Sequence, residues 1–172
     1  MKFCLKVASA IVMSCVVYAH YVKAEDVNDP VVCLAKNMYY EARNQGTAGL
    51  LAVSAVVLNR VNDPRFPNTV CGVIRQGPIR ASWKKDGTYY PIKHRCQFSW
   101  YCDGKNDIPK DIIRYELYLD MSKGILDNKL PFLDITDGAT FYHADYVKPG
   151  WAKTKTRTVE IEDHIFYKWE MK

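Results

Sequence analysis

The polar and apolar positions divide the chain into segments. An uncharged run from Val7 to Val22 (VASAIVMSCVVYAHYV) stands between Lys2, Lys6 and Lys23 and is followed by Ala24, Glu25 and Asp26. A basic start, a short apolar stretch and the small-residue site Val22-Lys23-Ala24 have the layout of a secretory signal peptide over residues 1–24. The run is about sixteen residues and contains His20, short of the roughly 20 apolar residues a membrane-spanning helix needs. Beyond it, Asn28-Asp29-Pro30 supplies an Asx N-cap and a proline at the first helical position. Val31, Leu34, Met38 and Glu41 then follow at offsets of three, four and three, which predicts a helix with one carboxylate on its apolar stripe. Asn44-Gln45-Gly46 ends that helix, and Thr47 is expected to cap the next. The run from Ala48 to Val61 (AGLLAVSAVVLNRV) carries no charge until Arg60, so it predicts a helix buried on all sides at the centre of the core.

The later segments are shorter. Asn62-Asp63-Pro64 and Phe66-Pro67-Asn68 read as turns, with Asn68 expected to cap a short helix through Arg75 that Gly77-Pro78 ends. Ile79 to Arg95 has no clear period and reads as an irregular insertion. His94 to Tyr101 predicts an extended segment, with Asp103-Gly104 turning after it. Pro109 opens a helix to about Lys123, with Ile112, Ile113, Leu117 and Met121 inward and Gly124 past its end. Ala139 to His143 and Val159 to Trp169 predict strands, Val159 and Ile161 alternating against charged neighbours. The sum is a helix-dominated α+β domain over residues 25–172, with a few short strands late in the chain.

Composition agrees with one ordinary globular unit. The chain has 172 residues, 48% apolar and 25% charged, which argues against disorder and against a second large domain. The net charge of +5 would suggest a polyanionic partner, but the predicted export segment removes Lys2, Lys6 and Lys23 and no acid. That leaves 21 Lys and Arg against 19 Asp and Glu, a net +2 that gives no basis for a nucleic-acid partner. Cys4 and Cys15 leave with the same segment. Cys33, Cys71, Cys96 and Cys102 remain, an even set that in an oxidising compartment makes two disulfides, with three connectivities open. The spacing from Cys96 to Cys102 does not suit a zinc knuckle.

Glu41 is the leading candidate for chemistry. A carboxyl among apolar side chains is disfavoured as an anion, and a glutamic acid kept protonated is what a glycosidase uses to protonate a leaving oxygen. The competing reading puts Glu41 at the edge of the stripe, in water or paired with Arg43 or Arg60. His94, His143 and His164 lack an HExxH spacing, and Ser54 and Ser99 lack a nucleophile-elbow context. Aromatic residues are 13% of the chain. Tyr39-Tyr40, Phe98-Ser99-Trp100-Tyr101, Phe141-Tyr142-His143 and Trp151 suit the flat faces of sugar rings as well as they suit a core.

The segments YYEARNQG (39–46), AVSAVVLNRVNDPRFPNTVCGVI (52–74), CQFSWYCDG (96–104), ATFYHADYVKPGWA (139–152) and IEDHIFY (161–167) resemble the SleB family of cell wall hydrolases, from about Cys33 to Tyr167. The resemblance implies a lysozyme-like, lytic-transglycosylase-like fold acting on peptidoglycan, with Glu41 at the catalytic position. Asn59, Gln97, Ser99, Tyr142 and His143 stand in the family-like blocks as candidates to hydrogen-bond sugar hydroxyls or N-acetyl groups, against readings in which Asn59 caps backbone groups in the core and Gln97 is satisfied within its strand. Trp151 is offered as a stacking platform or a packing residue, and the four cysteines take a structural role. Many members carry a second acid where this chain has Gln45, which favours a one-acid transglycosylase scheme unless Asp103 or Asp137 approaches in space. The expectation is an exported monomer, periplasmic or extracellular, acting on peptidoglycan glycan strands without a metal or other cofactor and without staying in the membrane. The rivals are a zinc amidase using His94, His143 or His164 and a wall-binding module without catalysis.

Overall fold

Asp29 starts the first helix, accepting a hydrogen bond from Val31 N at 2.8 Å while Pro30 occupies the first turn. Helix α1 runs over Pro30–Ala42 in the computed structural model, which describes residues 26–129 and 132–170. The export segment expected over 1–24 lies outside the described residues. Leu34 and Met38 of the expected stripe are completely buried.

Helix α2, Thr47–Asn62, is not capped by Thr47. Its first amides are closed instead by a residue far along the chain: Glu162 Oε2 accepts from Gly46 N at 2.7 Å and Glu162 Oε1 from Gly49 N at 3.2 Å. Beside that contact, Gln45 Nε2 donates to Asp163 Oδ2 at 2.7 Å and Asp163 N donates to Gln45 Oε1 at 3.2 Å. A carboxylate across the start of a helix satisfies amides that have no partner within the helix and opposes the positive end of its dipole. The approach is close enough to require glycine. A Cβ on Gly46 would lie 2.8 Å from Glu162 Oε1, and one on Gly49 would lie 2.5 Å from the Cβ of Gln45.

Burial on all sides of α2 follows from its having two cores to fill. Leu50, Val53 and Val57 pack with Leu34 and Met38 of α1 and with Val73, Ile74, Tyr115 and Tyr118. Ala52 and Val56 pack on Ala139 and Phe166, with Val159 and Ile161 at the margin. The second core is the inner face of a three-stranded antiparallel sheet of β3 (Phe141–Ala144), β4 (Thr156–Ile161) and β5 (His164–Lys168), in the order β3-β5-β4. Glu162 and Asp163 form the β4–β5 turn. Ala144 stands opposite His164, and Tyr142 opposite Phe166.

Several expectations about the middle of the chain are corrected. The short helix α3, Val70–Ile74, is capped by Thr69, whose Oγ1 accepts from Gly72 N at 3.1 Å, and not by Asn68. The segment read as irregular contains a hairpin, β1 (Ile79–Ala81) and β2 (Tyr89–Pro91). Both strands are exposed almost throughout, so no inward face imposed an alternation on the sequence. Residues 94–101 are not a strand. His94 takes a left-handed conformation at φ 60°, Ser99–Cys102 form a 3-10 turn, and His94 N donates to Cys102 O at 2.9 Å to close the loop.

Helix α4, Ile112–Leu126, begins at Asp111, which accepts from Arg114 N at 3.1 Å, and runs through Gly124. Its buried residues are Tyr115, Tyr118, Ser122 and Ile125. Ile112, Ile113 and Leu117 face solvent, and Met121 is half-buried. The helix is turned by aromatic packing: Tyr39 of α1 meets Tyr115 and Tyr118 edge-on, and its hydroxyl accepts from Lys110 N and Asp111 N, each at 3.1 Å. Two polar ties and three rings outweigh the aliphatic stripe.

The disulfides are Cys33–Cys71, joining α1 to α3 across 38 residues, and Cys96–Cys102, closing a loop of six. Loop-closure entropy alone makes these worth about 4 and about 2 kcal/mol. Alkylation of the oxidised protein without reductant is expected to label none of the four thiols. Strong labelling of two or more would break this pairing. Glu162→Ala, which leaves the start of α2 uncapped, is expected to cost about 1 kcal/mol in urea unfolding, whereas an unchanged midpoint would show that the cap carries no stability.

Candidate active site

Glu41 sits in the last turn of α1, where the helix reaches the sheet. Tyr142 of β3 donates its hydroxyl proton to Glu41 Oε2 at 2.8 Å. Both line a cleft of about 550 Å³, with Arg60 from the end of α2, Gln97, Phe98 and Ser99 from the disulfide loop, and His164 from β5. His143, Tyr146 and Trp151 complete the wall on the side of β3 and the loop after it.

Glu41 is partly open to the cleft, but enough protein surrounds its carboxyl that burial pushes the pKa up. The hydrogen bond from Tyr142 and the charge of Arg60 pull the other way. Since Tyr142 already donates to Oε2, Oε1 is the oxygen left to carry a transferable proton. The Tyr142 hydroxyl is itself raised well above the ordinary tyrosine value, by burial first and by the Glu41 charge second, so it stays a neutral donor.

Arg60 is 4% exposed, its pKa brought down to about 10 by burial with some restoration from Tyr142 and Glu41, and it remains cationic at neutral pH. Its Nε donates to Thr140 O at 2.7 Å, and its guanidinium carbon lies 5.2, 5.4 and 5.5 Å from the ring centres of Phe66, Phe98 and Phe141. Three ring faces hold a desolvated cation by attraction to their π electrons. Among the described residues its Nη1 finds no hydrogen-bond partner.

His143 places Nδ1 2.8 Å from Ala144 O and Nε2 3.0 Å from the Tyr167 hydroxyl. A carbonyl only accepts, so Nδ1 is the donor to Ala144 O, and the contact with Tyr167 fixes the other edge of the ring. Trp151 packs against Phe141, His143 and Tyr167 with centroid separations of 5.5 to 5.6 Å, and its partly exposed remainder faces the cleft.

Of the residues expected in the site, Glu41, Gln97, Ser99, Tyr142, His143 and Trp151 come together here. Asn59 does not. Its amide donates to Asp134 Oδ2 and to Ala139 O, each at 3.0 Å, so it fastens the segment that leads into β3. The three histidines are not assembled, since His143 and His164 line the cleft whereas His94 does not and stands ahead of the disulfide loop, its backbone N–H bonded to Cys102 O. Among the described residues no group of three His, Cys, Asp or Glu is placed to hold a metal. Asp103 pairs with Lys105 at 3.4 Å, Asp137 with Lys168 at 3.2 Å, and Gln45 is held by Asp163. Glu41 is thus the one carboxyl among the described residues lining the cleft. Tyr146 was not anticipated as a site component, Phe98 was named only among the aromatic residues suited to sugar or core, and Arg60 and His164 only in competing readings. The sequence signal for Arg60 was its place as the first charge in a long apolar run.

The family described as Cell Wall Hydrolase matches residues 44–167. The spore cortex-lytic enzyme of Halalkalibacterium halodurans is 29% identical over 140 residues, covering 81% of this chain and 34% of that one. That of Oceanobacillus iheyensis is 33% identical over 137 residues, covering 78% and 40%. The chain therefore spans well under half the length of these curated relatives. Among solved structures, the catalytic domain of the germination-specific lytic transglycosylase SleB from Bacillus anthracis superposes with a TM-score of 0.57 at 26% identity, covering 86% of this chain and 98% of that one. The catalytic domain of the Bacillus cereus SleB protein gives 0.52 at 28% identity, covering 81% and 89%. The fold is the lysozyme-like α+β fold of those catalytic domains.

The raised pKa of Glu41 makes a prediction with a definite sign. The folded protein holds this proton to higher pH than the unfolded chain does, so Glu41 costs nothing below its ordinary value of 4.5 and destabilises increasingly as pH rises from there toward the folded-state value. Glu41→Gln keeps an acceptor for Tyr142. It is expected to raise Tm at pH 7 and to leave it nearly unchanged at pH 3.5, and a variant less stable than wild type at pH 7 would contradict the burial of this carboxyl.

Proposed function

The chain belongs to the cell wall hydrolase family, and from that membership we propose that it cleaves peptidoglycan glycan strands between N-acetylmuramic acid and N-acetylglucosamine as a lytic transglycosylase. The observation that carries this reading is a cleft with one carboxyl among the described residues lining it, made protonatable by burial and aimed by Tyr142.

Protonated Glu41 donates from Oε1 to the glycosidic oxygen, which departs as the 4-hydroxyl of N-acetylglucosamine. Positive charge develops at C1 of the muramic acid ring. A glycosidase with two acids would meet it with a second carboxylate, and no other acid lines this cleft among the described residues. Assistance then comes from the substrate's own acetamido group. Ionised Glu41 takes the proton from the C6 hydroxyl as the C6 oxygen bonds to C1, giving a 1,6-anhydro product and the acid restored. Arg60 and Tyr142 support the intermediate state by stabilising the anion that burial disfavours. Gln97 and Ser99 offer hydrogen bonds to sugar hydroxyls or acetamido groups, and Trp151 a face for a ring.

We place the protein outside the cytoplasm, periplasmic or extracellular, with residues 1–24 as its export signal and the remainder acting as a monomer. The two disulfides support this, since such bonds persist in oxidising compartments. No helix among the described residues is long and apolar enough to cross a membrane.

Digestion of purified sacculi, with products identified by mass spectrometry, tests the reaction. Wild type is expected to release anhydromuropeptides and Glu41→Gln to release them at least about a hundredfold more slowly. Products with a free reducing end would replace transglycosylation by hydrolysis. Released stem peptides, or full activity without Glu41, would overturn the reading.

A further inference from the structure

The β1–β2 hairpin is built against the usual rules for a surface ribbon. A two-stranded hairpin is marginal in water unless something packs on it, and this one carries large rings on both faces with little cover. Trp83 is 87% exposed, Tyr89 62% and Tyr90 50%. Tyr90 pairs with Arg80 and so shares its face, while Tyr89 pairs with Ala81 and points to the other. At the turn, Lys84 Nζ lies 5.8 Å from the Trp83 ring centre, and Lys85 follows in a left-handed conformation at φ 54°. Asp86, the acid within the hairpin, accepts from Thr88 N at 3.0 Å to shape the turn. Arg80, Lys84 and Lys85 therefore give the arm a positive excess beside its exposed rings.

The arm springs from the wall of the cleft. Ile92 N donates to Pro78 O at 2.9 Å at its base, and Gln97, which lines the cleft, donates its backbone N–H to Gln76 O at 2.9 Å. At about 3.3 Å per residue the three-residue strands carry the turn and its ring on the order of 10 Å from that base. We propose that this hairpin is a second binding element for the wall polymer, its rings stacking on sugars outside the cleft and its cations pairing with stem-peptide carboxylates. Rings interleaved with positive charge fit a polymer that repeats apolar sugar faces and carboxylates along its length. This inference rests on the peptidoglycan reading above.

Co-sedimentation with purified sacculi tests it, using Glu41→Gln as parent so that the polymer stays intact. Trp83→Ala in that parent is expected to weaken binding roughly fivefold. A Lys84→Ala/Lys85→Ala pair is expected to weaken it by a similar factor at low salt and by less at high salt. On glycan strands stripped of stem peptides, the effect of Trp83→Ala should persist and that of the lysine pair should vanish. The exposure of all three side chains keeps the core out of the experiment, and an unchanged Tm verifies this. Failure of the parent itself to bind sacculi would overturn both this proposal and the peptidoglycan reading. Binding by the parent with no loss in either variant would overturn the hairpin alone. So would vesicles containing anionic phospholipid if they, and not sacculi, lose the protein on Trp83→Ala, because the arm would then belong to a membrane surface.

Discussion

The contact between Glu162 and the start of α2 sets the geometry on which the rest of the molecule depends. Two backbone amides and one carboxylate, reinforced by the exchange between Gln45 and Asp163, fix the β4–β5 turn against the junction of α1 and α2. From that point the strand register does the rest. His164 follows the turn and stands opposite Ala144, so Tyr142 is carried two residues further along β3 to the place where α1 ends. The 2.8 Å bond between Tyr142 and Glu41 is the outcome of that register. A one-residue slip would turn Tyr142 to the other face of the sheet.

The electrostatics of the cleft balance opposing demands. Burial favours a proton on Glu41, while a nearby cation and a neutral phenol limit how far that preference goes, and the proposed reaction would draw on both. The desolvation of Arg60 is offset by three rings and a carbonyl, with no ion pair to it among the described residues. A formal salt bridge would have held Glu41 as an anion.

Local signals carried the helices at the front of the chain. Pro30 and the uncharged run after Thr47 act within a few residues of themselves, and the structure has those helices where the pattern puts them. Misreadings occurred where a distant partner decided the outcome. Thr47 has the chemistry of a cap, but a carboxylate 113 residues or more away reaches the same amides first. Ile112 and Leu117 outline an apolar stripe, but Tyr39 turns α4 by its rings and hydroxyl. Asn59 and Arg60 are adjacent in sequence and face different structures, one the segment before β3 and the other the cleft, a distinction that no short motif records. The acid, its phenol and the polar loop of the site were legible as family-like blocks, and the cation, which stands in such a block too, was legible there only as a candidate partner of Glu41 and not as a group caged by three rings.

The loop that carries Gln97, Phe98 and Ser99 lies wholly between Cys96 and Cys102. One wall of the cleft is therefore fastened at both ends by a bond that an oxidising compartment supplies. Reduction would remove that fastening and leave the wall to its remaining ties, such as the hydrogen bond from Gln97 N to Gln76 O. Whether Cys96 and Cys102 are joined thus bears on one wall of the cleft, and the proposed glycan site inherits a dependence on the redox state of its surroundings.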